Sequence, residues 1–166
     1  QQTLDALSQK LEELTQIQDQ ITNDIETEKA DELARRQDQN TRDTEQLREE
    51  IEQAAQQMDS PTDSELDQLA DEMQNKKFSE RMDQIRRDVS ANQQASAKKG
   101  SQSVAQDLQK LSQQLNQTRQ NFVQRQKDQI AKELDCVLHD LLTLSQAQER
   151  TAQRADKAQG RTETAP

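Results

Sequence analysis

Leu4, Leu7, Leu11, Leu14, Ile21 and Ile25 recur at steps of three and four, or seven where Gln18 takes an apolar place. That spacing puts one narrow apolar seam on a helix, and such a seam is buried only when a second helix covers it. A chain opening this way is therefore committed to helix-on-helix packing. Only 29% of the residues are apolar, and Trp and Tyr are absent. Ordinary globular domains reach about 45–50% apolar content, so a thick central core is not expected. Disorder would fit such polarity, but Gly and Pro occur only twice each. Good and fair helix formers such as Gln, Glu, Ala, Leu, Lys and Arg fill the chain instead. The regular apolar spacing then selects long helices.

The spacing predicts a first helix over residues 2–58, with its seam thin between Glu26 and Gln46 and restored at Leu47, Ile51, Ala54 and Met58. Asp59-Ser60-Pro61-Thr62-Asp63 is punctuation: Ser60 suits an N-cap, Pro61 a first helical position and Asp63 a returning cap bond. A second helix is expected over 61–90. The five-residue step from Met73 to Phe78 implies a break at Asn75-Lys76-Lys77, with Ser79 as a new cap. A turn at Ser90-Ala91-Asn92 leads to a third helix over 93–157, seamed by Val104, Leu108, Leu111, Leu115 and Phe122, then Ile130 onward. The expected fold is all-α, an elongated antiparallel coiled coil or three-helix bundle. Residues 1–166 form one helical domain in this reading, cut from a larger protein.

The formal net charge is −10, which disfavours nucleic acid and anionic membrane surfaces as partners. The charge is uneven. Residues 1–58 carry 15 acids against 6 bases and 59–75 carry 6 acids and no base, whereas 76–100 carry 7 bases against 3 acids. The basic run Lys76, Lys77, Arg81, Arg86 and Arg87 is expected to pair with acids of the first helix. No apolar run reaches the length of a membrane span, so a membrane link would run through segments outside this stretch.

Little in the chain can do chemistry. Cys136 is the only cysteine and His139 the only histidine, three apart on one helix face with Asp135 beside them. A structural zinc site takes about four ligands, so no metal and no cofactor are expected. Neighbouring carboxylates such as Glu12-Glu13 and Asp71-Glu72 diverge by about 100° on a helix and do not converge on one ion. No Gly-rich phosphate loop and no catalytic constellation occur, so neither an enzyme nor a small-molecule substrate is expected. The apolar stripe is widest at Leu134, Val137, Leu138, Leu141, Leu142 and Leu144. These six residues are the candidate interaction site, for a protein partner or for self-association. The resulting expectation is a noncatalytic scaffold or protein–protein interaction domain. The alternative is a lipid-binding amphipathic bundle, which would want wider apolar faces with Lys and Arg flanks and interfacial aromatics.

The stretch Leu138-His139-Asp140-Leu141-Leu142-Thr143-Leu144-Ser145-Gln146-Ala147-Gln148-Glu149-Arg150 resembles the "nLLxLSxxQE" segment of a family of large bacterial membrane-anchored proteins of unknown function. Ala95-Ser96-Ala97-Lys98-Lys99-Gly100, followed by Val104 and Leu108, is similar to a second recurring segment there, as is the opening Leu-x-x-Leu run. The resemblance is most specific over residues 134–150. It implies N-terminal membrane helices ahead of a Gln/Glu-rich helical region, a place in the bacterial cell envelope, and no active site to carry over.

Overall fold

The computed structural model describes residues 2–59 and 61–162, with side chains through Arg154. Among them every regular element is a helix: α1 (Gln2–Asp24), α2 (Ala30–Ala55), α3 (Thr62–Asn75), α4 (Phe78–Ser90) and α5 (Gln94–Thr162). The all-α class is as expected. The chain divides into two compact units, Gln1–Val123 and Gln124–Pro166.

The first unit is an up-down-up-down bundle of four legs, not three. α1 and α2 run antiparallel, as the ion pairs Lys10–Glu50 and Arg36–Asp24 show at their two ends. α3 and α4 together form the third leg and pack on α2. The start of α5 runs back along them, through Asp107 with Arg81, Gln114 with Glu72 and Ser96 with Asp88. It also closes on α1 through Arg119–Asp5, and on the turn after α1 through Lys98–Glu26.

The continuous first helix expected over 2–58 is thus corrected: the chain reverses between Asp24 and Ala30. Thr27 and Glu28 donate their amides to the Asp24 carbonyl, ending α1 in a turn. Lys29 is extended, with ψ of 135°. Ile25 and Leu33 on either side of the turn are both buried, and Arg36 clips its flanks by pairing with Asp24 and Glu28. Tertiary burial and this clip turn a segment whose composition suits a helix.

The third leg is interrupted where the Met73–Phe78 step requires it. Lys77 adopts the left-handed conformation, φ 51° and ψ 50°, which resets the helix phase so that Met73 and Phe78 both reach the core. No side-chain cap bond starts α4, and Ser79 bonds Glu45 of α2 over 2.5 Å instead. The guanidinium of Arg81 sits 5.7 Å from the Phe78 ring centre, a favourable cation–π distance. The turn after α4 lies where expected, with Asn92 also left-handed at φ 56°. α3 begins at Thr62, with Pro61 just outside it. The expected cap Ser60 lies outside the described residues.

Gly100 lies within α5, where a Cβ would come 3.1 Å from Ile85 Cγ1 on α4. The missing side chain lets these two helices approach closely. Heptad spacing continues through the core of every long leg, but not always in apolar residues. On α2 the buried series is Leu33, Gln37, Asn40, Thr44, Leu47, Ile51 and Ala54. On α5 Ala97, Ser101, Val104, Leu108, Leu111, Leu115 and Thr118 follow the same rule. The seam that looked thin between Glu26 and Gln46 is therefore a seam whose buried positions are polar.

Candidate interaction surface

Three features of the molecule could carry function: a buried polar layer, the charged grooves between legs, and the apolar stripe of α5. The polar layer crosses the bundle core. Gln18 and Gln37 exchange amide hydrogen bonds, each 3.1 Å, and Gln18 Nε2 also donates to Ser101 Oγ at 2.6 Å. Asn40 Nδ2 donates to Gln18 Oε1 at 2.8 Å, and the hydroxyls of Thr22 and Ser101 are 2.6 Å apart. All five residues are buried. Asn40 Oδ1 is buried without a hydrogen-bond partner. The layer is satisfied almost wholly from within, and its amides and hydroxyls offer no nucleophile beside a base. Its chemistry is that of a register mark between helices.

The grooves hold ion pairs. Asp107 of α5 faces both Arg81 and Lys76 of the third leg, at 2.8 and 3.2 Å. Burial pushes the Asp107 carboxyl up, but hydrogen bonds from Arg81 and Lys76 outweigh it and hold the group below its ordinary value. The hydrogen bond from Ser79 holds Glu45 low, and the one from Lys10 holds Glu50 low. The bond to Asp24 raises Arg36 further above neutrality. The basic run therefore does not pair with acids of residues 2–58 as expected: Lys76 and Arg81 meet Asp107, Lys77 meets Glu80, and Arg86 meets Asp83. The acids were closer at hand, on the same leg and on α5.

The second unit is different. From Gln124 the α5 helix is held by its own side-chain ladder, including Gln124 with Asp128 and Gln129 with Glu133, four residues apart. Ile130, Leu134, Val137, Leu138, Leu141, Leu142 and Leu144 are each 55–62% exposed. The six candidate site residues therefore lie together on one described helix, and Ile130 extends them. Ile130, Leu134, Val137, Leu141 and Leu144 step by four, three, four and three, so their side chains form a straight seam of roughly 21 Å. Leu138 and Leu142 widen it to one side. Monomeric proteins rarely leave a continuous apolar strip of this kind open to water.

Cys136 is exposed on the same segment, and among the described residues no group of His, Cys, Asp and Glu is placed to hold a metal ion. Among the described residues no helix is long and apolar enough to cross a membrane. The polar layer escapes sequence reasoning because Gln37 and Asn40 lie where the seam lacks large apolar residues. Their heptad spacing from Leu33 and Leu47 was the available signal. No protein-family model, curated protein or solved structure matches the chain.

Proposed function

We propose that the protein is a noncatalytic helical scaffold that docks other helices on the α5 stripe. The observation that carries this reading is the run of seven large apolar side chains from Ile130 to Leu144, each more than half exposed. Covering a Leu or Ile side chain contributes about 1.5–3 kcal/mol when burial is complete, so even partial cover of seven gives a partner helix a substantial driving force. The heptad steps dictate the shape of that partner: a second helix lying along the first, knobs entering holes. The resemblance of residues 134–150 to a bacterial membrane-anchored family supplies the setting we propose with it, the soluble part of a cell-envelope protein.

A photo-activated crosslinking residue at position 138, in the cells that make the protein, tests the reading. Adducts with polypeptide are the expected result. Adducts with lipid alone would favour the amphipathic lipid-binding alternative, and the absence of any adduct would remove the stripe as a docking site.

A further inference from the structure

Resting on the docking reading above, we infer that the occupant of the α5 stripe is the same stripe of other copies of this chain, in a parallel, in-register bundle of three or four strands. The steps Ile130, Leu134, Val137, Leu141 and Leu144 place Leu134 and Leu141 at heptad position a, and Ile130, Val137 and Leu144 at d. Leucine at a with a β-branched residue at d favours three- and four-stranded coiled coils over two-stranded ones, because of how each side chain fills the facing hole. Ile130 and Val137 are the β-branched residues here.

Area leads to the same strand number. Each seam residue is a little over half exposed and offers roughly 100 Å² to a neighbour. Two copies joined through their five seam residues would bury about 1,000 Å², short of the roughly 1,200 Å² at which stable interfaces begin. Leu138 at position e and Leu142 at b remain open in such a pair. A second neighbouring strand covers that flank, and only an assembly beyond two gives every helix a second neighbour.

Charge sets the direction. Glu133 and Asp140 occupy the g positions, while Ala131, Leu138 and Ser145 occupy e and carry no charge. Antiparallel strands set g against g, so acid would meet acid, whereas parallel strands set g against e. The ends set the register. Lys127 and Gln148 are the a residues that bracket the apolar stretch, and a slip of one heptad would lay one of them over leucine.

Light scattering of the purified full chain over a concentration series reads the strand number directly. The expected mass is three or four times the 19.1 kDa of one chain, and Leu134→Asp with Leu141→Asp reduces it to one chain while the helical circular dichroism persists. A monomer at every concentration overturns self-association, and a dimer overturns the strand number. Direction is read in Cys136→Ser/Gln148→Cys: parallel register brings position 148 beside itself, so oxidation links chains into a disulfide-bonded pair. A correct oligomer without that link overturns the parallel register. If the chain is monomeric while crosslinks from position 138 to another polypeptide persist, self-association fails and the docking reading survives.

Discussion

Gln18 of α1 donates a hydrogen bond of 2.6 Å to Ser101 of α5, although 83 positions separate them in the chain. The same amide is paired with Gln37 and Asn40 of α2, so one side chain ties three legs together. Repetitive leucine seams can pair in more than one register, and this layer is expected to favour the one in which its hydrogen bonds close.

Removing Gln18 therefore costs more than one hydrogen bond. Gln18→Ala leaves the amides of Gln37 and Asn40 and the Ser101 hydroxyl short of partners in a closed core, beside a new cavity. The expected loss is about 3 kcal/mol in urea unfolding. Replacing Gln18, Gln37 and Asn40 together by Leu removes the whole cluster, and stability is expected to return or rise. Uniqueness is expected to fall, seen as extra or broadened amide signals in the NMR spectrum. One sharp set of signals from the triple variant would show that the layer does not fix the register.

Gly100 and Ile85 form a second coupled pair. Gly100→Ala gains about 1 kcal/mol of helix propensity but brings a methyl to 3.1 Å from Ile85 Cγ1, and Ile85 is buried. The two effects are expected to cancel nearly. Ile85→Ala alone should lose about 2–5 kcal/mol. In that background Gly100→Ala should become plainly stabilising, because the added methyl enters vacated space. A double-mutant cycle with coupling below about 0.3 kcal/mol would contradict the close contact.

Lys77 holds a left-handed backbone that disfavours residues bearing a Cβ by about 1–2 kcal/mol. Gly escapes that strain but loses more freedom on folding. Lys77→Gly should thus stabilise the bundle by about 0.5 kcal/mol in thermal unfolding, and Lys77→Val should destabilise it by more than 1 kcal/mol. The Lys77–Glu80 pair is exposed on both sides and is worth too little to reverse the order.

Acid should weaken the first unit through three carboxyls. Asp107, Glu45 and Glu50 are each held below their ordinary values in the folded chain. A carboxyl with a lowered folded pKa adds stability that is complete above its unfolded value and is lost as pH falls through the folded one. Urea midpoints should stay level from neutrality to about pH 5 and fall below about pH 4. Asp107→Asn should lower the neutral midpoint and flatten the acid decline. An unchanged acid slope in that variant would show that the Arg81 and Lys76 contacts contribute nothing to folding.

Much of this fold could be read from residue order, and the failures have one cause. The α3–α4 break was visible because a five-residue step from Met73 to Phe78 fits neither heptad interval, and the turn at Ser90–Asn92 because large apolar residues stop there. The Asp24–Ala30 reversal carries no Gly or Pro; what bends it is the Arg36 clip and the burial of Ile25 and Leu33, contacts made across space. Gln37 and Asn40 looked like solvated positions because a buried amide is acceptable only once its partners are known, and Gln18 lies 19 and 22 positions away. The α5 stripe was legible as a continuous apolar face because its excess width is a local property of Leu134–Leu144.

The order of the legs also governs how the bundle is reached. Contacts between α1 and α2 join residues 12 to 40 positions apart, from Arg36–Asp24 to Lys10–Glu50. Those between α1 and α5 join residues 79 to 114 apart, from Thr22–Ser101 to Arg119–Asp5. Short loops close at lower entropic cost and sooner than long ones. Helical hairpins are therefore expected first and the α1–α5 side last, with the Gln18–Ser101 bond at the final step of assembly; pulse-labelled amide exchange reads that order. Until that side shuts, a half-built molecule leaves part of its apolar core open to water, and the time spent in that state governs its exposure to aggregation.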